Sequence, residues 1–194
     1  MTRLCKVLLV GLLLTSCSGG TGVAISYYLI DAREQTPLTE PNQLAVQIVD
    51  LHVPQYLERY QIAARSDNSR LVFSDLHQWG ENLRKNLLRS LGVNLARLLN
   101  TVDISTPVMR ASSRPDYRVR LYIAAFERGA DGRVQLQARW QVDGGRDAMH
   151  TEGVTLASSV VSDFPETVIA MADLYSELSQ QIAASILKLE REAP

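Results

Sequence analysis

The chain has 194 residues, of which 46% are hydrophobic and 21% charged, and its 20 basic and 21 acidic side chains leave a formal charge of −1. That near balance argues against nucleic acid as a partner, which demands a strong basic excess. It argues equally against a protein held on a membrane by charge alone.

The first element is an export signal. Arg3 and Lys6 precede the apolar run Val7 to Leu14, and Leu14-Thr15-Ser16-Cys17 leads into Ser18-Gly19-Gly20-Thr21-Gly22. A charged start, a short apolar segment and small residues at the cut describe a secretory signal peptide. The run falls far below the roughly 20 residues needed to span a bilayer, which speaks against a transmembrane helix. A cysteine at the cut resembles the lipobox of bacterial lipoproteins, so residues 1–16 are predicted to be removed and Cys17 to be diacylated. Two acyl chains, at about 0.8 kcal/mol per buried methylene, suffice for stable attachment. Ser18 stands where an aspartate would resemble an inner-membrane retention signal. The pattern therefore predicts a lipid-anchored protein on the inner leaflet of the outer membrane, facing the periplasm. Cys5 leaves with the signal, and Cys17 becomes the sole mature cysteine. That excludes a disulfide within the mature chain, thiol catalysis and zinc–thiolate sites.

Residues 17–25 read as a lipidated, glycine-rich tether, and 26–194 as one α+β domain. Ser26 to Ile30 is aromatic and β-branched, a first strand. Asp31 to Asn42, with Pro37 and Pro41, reads as a loop. Gln43 to Val53 is apolar on both alternating sets, which predicts a strand covered on both faces. Gln61 to Arg65 and Arg70 to Ser74 flank the turn-rich Ser66-Asp67-Asn68-Ser69 as a hairpin. Ser74-Asp75 then predicts the cap of a helix over 76–100, with Leu76, Trp79, Leu83, Leu87, Leu91, Leu95 and Leu98 on its buried face. A short strand is expected near Val102 to Val108.

Next, Tyr117, Val119, Leu121, Ile123 and Ala125 alternate with Arg118, Arg120, Tyr122 and Ala124. After the turn Gly129-Ala130-Asp131-Gly132, Val134, Leu136, Ala138, Trp140 and Val142 alternate with Gln135, Gln137, Arg139 and Gln141. Such alternation predicts an antiparallel pair with one core face and one wet face. Asp143 to Arg146 turns into a further strand at 147–160, and Pro165 opens a second long helix. The expected architecture is a single-domain sandwich: an antiparallel-rich mixed sheet with two long helices on one face.

Chemistry is sparse. His52, His77 and His150 lack metal-ligand spacing, and no phosphate-binding loop or nucleophile elbow occurs. His77 beside Asp75 reads as a solvent-exposed or capping residue. No catalytic residue, cofactor or metal is therefore expected. Two surfaces merit a binding role instead. One is the loop with Tyr56, Leu57, Arg59 and Tyr60, since aromatic and arginine side chains are enriched in interface hot spots. Its plainer reading folds Tyr56 and Leu57 back into the core. The other is the outer hairpin face with Arg118, Arg120, Tyr122, Gln137, Arg139 and Gln141, whose plainer reading is an ordinary solvated sheet.

Several segments, in this order, resemble one family. Asp50-Leu51-His52-Val53-Pro54-Gln55-Tyr56-Leu57-Glu58-Arg59-Tyr60-Gln61-Ile62 is similar to its strand, proline and Tyr-Leu-Asp-Arg-like turn. His77-Gln78-Trp79-Gly80-Glu81-Asn82-Leu83 is similar to its Arg-Trp-Ala-Glu-Pro-Leu helix start. Asn94-Leu95 lies where that helix ends. Gln137-Ala138-Arg139-Trp140 resembles its Glu-Ala-Arg-Trp strand, and Leu178 to Ala183 its final helix. The family is the ABC-type transport auxiliary lipoproteins, the PqiC-like (paraquat-inducible protein C) proteins. Gly80, Asn82 and Tyr60 depart from its usual alanine, proline and proline.

The resemblance implies a sandwich like the N-terminal domain of the translocation protein TolB. It implies a non-enzymatic subunit of an envelope phospholipid-transport system, docking an inner-membrane complex with MCE domains and supporting membrane integrity. Lipid handling by the domain itself would need an apolar channel, which a homo-oligomeric ring would supply. A rival from the same fold class is a lipoprotein regulator of a cell-wall synthase or another envelope enzyme.

Overall fold

The structure, a computed structural model, describes residues 23–67, 69–109, 114–145 and 148–192. The predicted signal peptide, Cys17 and most of the tether lie outside the described residues.

Eight strands form one mixed sheet: β1 (Ser26–Tyr28), β2 (Val46–His52), β3 (Gln61–Arg65), β4 (Leu71–Trp79), β5 (Ile104–Ser105), β6 (Tyr117–Arg128), β7 (Arg133–Asp143) and β8 (Met149–Val160). The long β6 organises it. One edge of β6 pairs antiparallel with β7, which pairs antiparallel with β8. The other edge takes two strands in succession, both parallel: β2 along Tyr117 to Tyr122, and β3 at Arg128. Beyond β2 lies β5, and beyond β3 lie β4 and then β1 at the rim. A short 3-10 helix, Gln55–Glu58, fills the break between β2 and β3.

Two helices, α1 (Leu83–Leu98) and α2 (Phe164–Glu192), cover one face of this sheet, α1 over β2 and β5, α2 over β6 to β8. Their stripes of Leu83, Leu87, Leu91, Leu95 and Leu98, and of Met171, Tyr175, Leu178, Ile182 and Ile186, are buried against Val119, Leu121, Leu136 and Trp140. Several polar groups that enter this layer find partners, as burial favours, although the Ser90 hydroxyl and the Asn94 side-chain carbonyl oxygen make no hydrogen bond among the described residues. The Tyr175 hydroxyl donates to the Leu87 carbonyl (3.0 Å), Asn94 donates to Ser179 (3.0 Å), and the Trp140 indole donates to Ser185 (3.1 Å). Asn86 on α1 clamps the entering chain: it accepts from the Ile30 N–H at 2.7 Å and donates to the Ile30 carbonyl at 3.1 Å. The predicted loop after Ile30 then crosses the helix layer, where Arg33 pairs with Asp173 (2.8 Å) and Gln35 donates to Ser176 (2.6 Å).

Four expectations are corrected. The first helix begins at Leu83, not Leu76, and its cap is Asn82, whose side chain accepts from the Lys85 N–H at 3.2 Å. Ser74 does make the predicted cap-like bond, accepting from the His77 N–H at 3.1 Å. That bond serves a bulge, because β4 runs on to Trp79 and is held on both sides by β1 and β3. Leu76 is accordingly exposed.

β2 is not covered on both faces. A register shift between Ile48 and Asp50 changes the phase, so Ile48 and Leu51 both reach the core while Asp50 and His52 face out. A similar shift between Ile123 and Ala125 in β6 hands the core position from Ala125 to Phe126. The strand expected over 102–108 shrinks to Ile104–Ser105, and Val102 and Val108 are exposed. A bulge adds one residue and reverses which alternate set faces inward. The antiparallel ladders β6–β7 and β7–β8 dominate as expected, but β1, β2, β3 and β5 all join through parallel pairings.

Candidate partner-binding face

The face of the sheet opposite the helices is where β2, β6, β7 and β8 bring polar side chains side by side. Strand alternation sends Val119, Leu121 and Ile123 of β6 under the helices and leaves Arg118, Arg120 and Tyr122 on the other face. The parallel register sets Gln47 beside Arg118, Asp50 beside Arg120 and His52 beside Tyr122. His52 and Tyr122 stack with ring centroids 5.0 Å apart and planes 6° apart. On the other side of β6, Arg139 of β7 lies opposite Tyr122 and Gln141 opposite Arg120. Among the described residues, Arg118, Arg120 and Arg139 enter no ion pair.

Gly153 on β8 shapes this face. It pairs with Arg139, and a Cβ there would lie 3.3 Å from the Ala138 carbonyl oxygen. The missing side chain leaves a shallow hollow of about 370 Å³ between Tyr122, Gln137, Arg139 and Thr155. A second hollow of about 330 Å³ adjoins it, bounded by Asp50, His52, Arg120, Tyr122 and Thr151. Tyr122 borders both hollows, and its stacking partner His52 borders the second. This is a concave, wet, net basic surface with an exposed aromatic, suited to hydrogen bonding and charge pairing. Its groups do not make a nucleophile with a base and an orienting partner.

The loop of Tyr56, Leu57, Arg59 and Tyr60 has a different character. Leu57 is 3% exposed and belongs to the core, so it offers no docking atom. Tyr56 is half-buried, and its hydroxyl donates to Glu127 at 2.8 Å. Arg65 donates to the same carboxylate at 2.6 Å, as does the Phe126 N–H at 2.8 Å. Burial, with the Glu127 carboxylate beside it, pushes the Tyr56 hydroxyl well above the usual tyrosine range; the bond to Glu127 raises Arg65 further. These groups form a closed structural network. Arg59 lies 4.6 Å over the Phe73 ring, and Tyr60 is exposed while its carbonyl accepts from the Trp79 N–H.

The structure therefore separates the two predicted surfaces. Tyr56 to Tyr60 sit by β3 and β4, at the Arg128 end of β6, whereas Arg118, Arg120 and Arg139 share the opposite half with β2 and β8. His52, Asp50 and Gly153 join the site without having been predicted. Their presence depends on the parallel β2–β6 register and on the Arg139–Gly153 pairing, which no local pattern encodes.

A family model described as "ABC-type transport auxiliary lipoprotein component" matches residues 27–183. No curated protein matches the chain by sequence. Among solved structures, the chain is similar to an uncharacterized protein at 18% identity and a TM-score of 0.69, over 84% of this chain and 99% of the other. It is also similar to protein XCC0632 from Xanthomonas campestris, at 14% identity and a TM-score of 0.68, over 86% of this chain and 98% of the other. At these identities the likeness shows a shared fold.

Proposed function

Because this chain belongs to the ABC-type transport auxiliary lipoprotein family, we propose that it is the docking subunit of an MCE-type envelope phospholipid-transport system, with its helix-free sheet face as the docking surface. Family membership makes it a non-enzymatic auxiliary lipoprotein of an ABC-type transport system. Among the described residues no group of three or more His, Cys, Asp or Glu side chains could hold a metal ion, and no helix is long and apolar enough to cross a membrane.

Cys17 is acylated and holds the domain on the inner leaflet of the outer membrane, facing the periplasm. Confinement to one leaflet raises the domain's effective concentration at a partner that spans the periplasm. The mixed sheet under two helices is read as similar to the N-terminal domain of TolB, and copies of the domain as a ring around the lipid path.

The observation that carries the reading is the face itself. Arg118, Arg120 and Arg139, which enter no ion pair among the described residues, share the face of the stacked His52–Tyr122 pair, and Tyr122 borders both hollows, an arrangement the packing of the domain does not require. The test is a photo-crosslinking residue at Tyr122 in the full-length protein in its native envelope. The expected adduct is with an MCE-domain protein. An adduct with a cell-wall synthase would assign the chain to regulation of that enzyme instead.

A further inference from the structure

We infer that Val23, Ile25, Tyr27 and Leu29 form a strip that rests on the phospholipid bilayer and fixes the orientation of the domain; this rests on the acylation of Cys17 proposed above. The four apolar residues occupy alternate positions leading into and through the rim strand β1, and they are 70%, 43%, 65% and 42% exposed. No charged side chain occurs between Cys17 and Asp31. An exposed apolar strand at a sheet rim is a liability unless something covers it.

The tether decides what covers it. Six residue steps separate Cys17 from Val23, so a fully extended chain keeps the strip's start within roughly 20 Å of the acylated cysteine. A neutral, apolar segment with an aromatic ring is what the headgroup boundary accepts. Another exposed apolar group, Val102, Val108 and Met109, follows α1 near the Tyr117 end of β6, where β5 and β6 both meet Val46.

Topology supplies the orientation. β1 runs parallel to β4, β4 antiparallel to β3, and β3 parallel to β6, so the chain upstream of β1 leads toward the Arg128 end of β6. His77, the register partner of Ser26, stacks at 4.2 Å on Phe164 at the start of α2, which marks the same end. With that end on the bilayer, Arg120 lies eight residues of β6 farther out, roughly 26 Å at the strand rise. The strip would thus hold the Arg128 end of β6 toward the bilayer and the Tyr117 end, with Arg118 and Arg120, away from it.

The test uses the full-length acylated protein in phosphatidylcholine vesicles, with or without bromine atoms on the acyl chains near the headgroups. Tyr27→Trp and Met149→Trp are each compared with wild type, whose Trp79 and Trp140 are buried and supply a common background. Met149 begins β8 at the distal end. Bromination should reduce the added emission of Tyr27→Trp by about two-fold or more and leave that of Met149→Trp unchanged, as expected for insertion at the headgroup boundary. Flotation of wild type and Cys17→Ser with the vesicles reads the anchor separately. If wild type floats, Cys17→Ser does not and Tyr27→Trp is unquenched, the strip is wrong and the anchor stands. If Cys17→Ser floats and Tyr27→Trp is quenched, the anchor reading fails while the strip holds. If wild type does not float, both fall.

Discussion

Along β7, Val134, Leu136, Ala138, Trp140 and Val142 are buried under α2, while Gln135, Gln137, Arg139 and Gln141 line the opposite face. The same backbone serves two ends. On the covered side each group is fixed by volume and by hydrogen bonds, as with the indole of Trp140 and the hydroxyl of Tyr175. On the open side the His52 and Tyr122 rings stack, and among the described residues Arg118, Arg120 and Arg139 enter no ion pair. Stability is concentrated on one face, so the other is free to carry recognition.

Trp140→Ala should strain this division most, by removing a large side chain only 1% exposed together with its bond to Ser185. The expected loss is about 3–5 kcal/mol in urea unfolding. A near-neutral result would mean that α2 does not seal this face.

Asn86→Ala should cost less, about 1–3 kcal/mol, because it leaves the Ile30 N–H and carbonyl without their partner. Hydrogen exchange at Ile30 should rise with little change at β7. Uniform loss of protection would show that the clamp supports the whole core and not just the entering strand.

What the sequence made legible follows from where the information sits. The β6–β7–β8 meander was readable because its strands are sequential neighbours joined by short turns, with Gly132 at φ +78 in the first. α2 was readable from Pro165 at its start; the structure adds a cap there, in which the Asp163 side chain accepts from the Glu166 N–H and Glu166 accepts from the Ser162 N–H. The start of α1 was not. Leu76, Trp79 and Leu83 happen to follow helical spacing, but the residues through Trp79 obey pairings with β1 and β3 that local sequence does not announce. β2 misled for a related reason: apolar residues on both alternating sets are the trace of a bulge. At the site, the hairpin arginines were visible as one side of an alternation. His52 and Gly153 were not, since one needs a parallel partner and the other matters through an absent side chain.

The central claim is that the open face binds and does not stabilise, and Arg120→Thr with Arg139→Thr tests it most directly. Threonine suits a strand and removes both charges. The double variant should unfold within about 0.5 kcal/mol of wild type, as surface changes do. It should nonetheless lose co-purification with the proposed MCE-domain partner from detergent-solubilised envelopes. Retained capture by a protein of native stability would contradict the account.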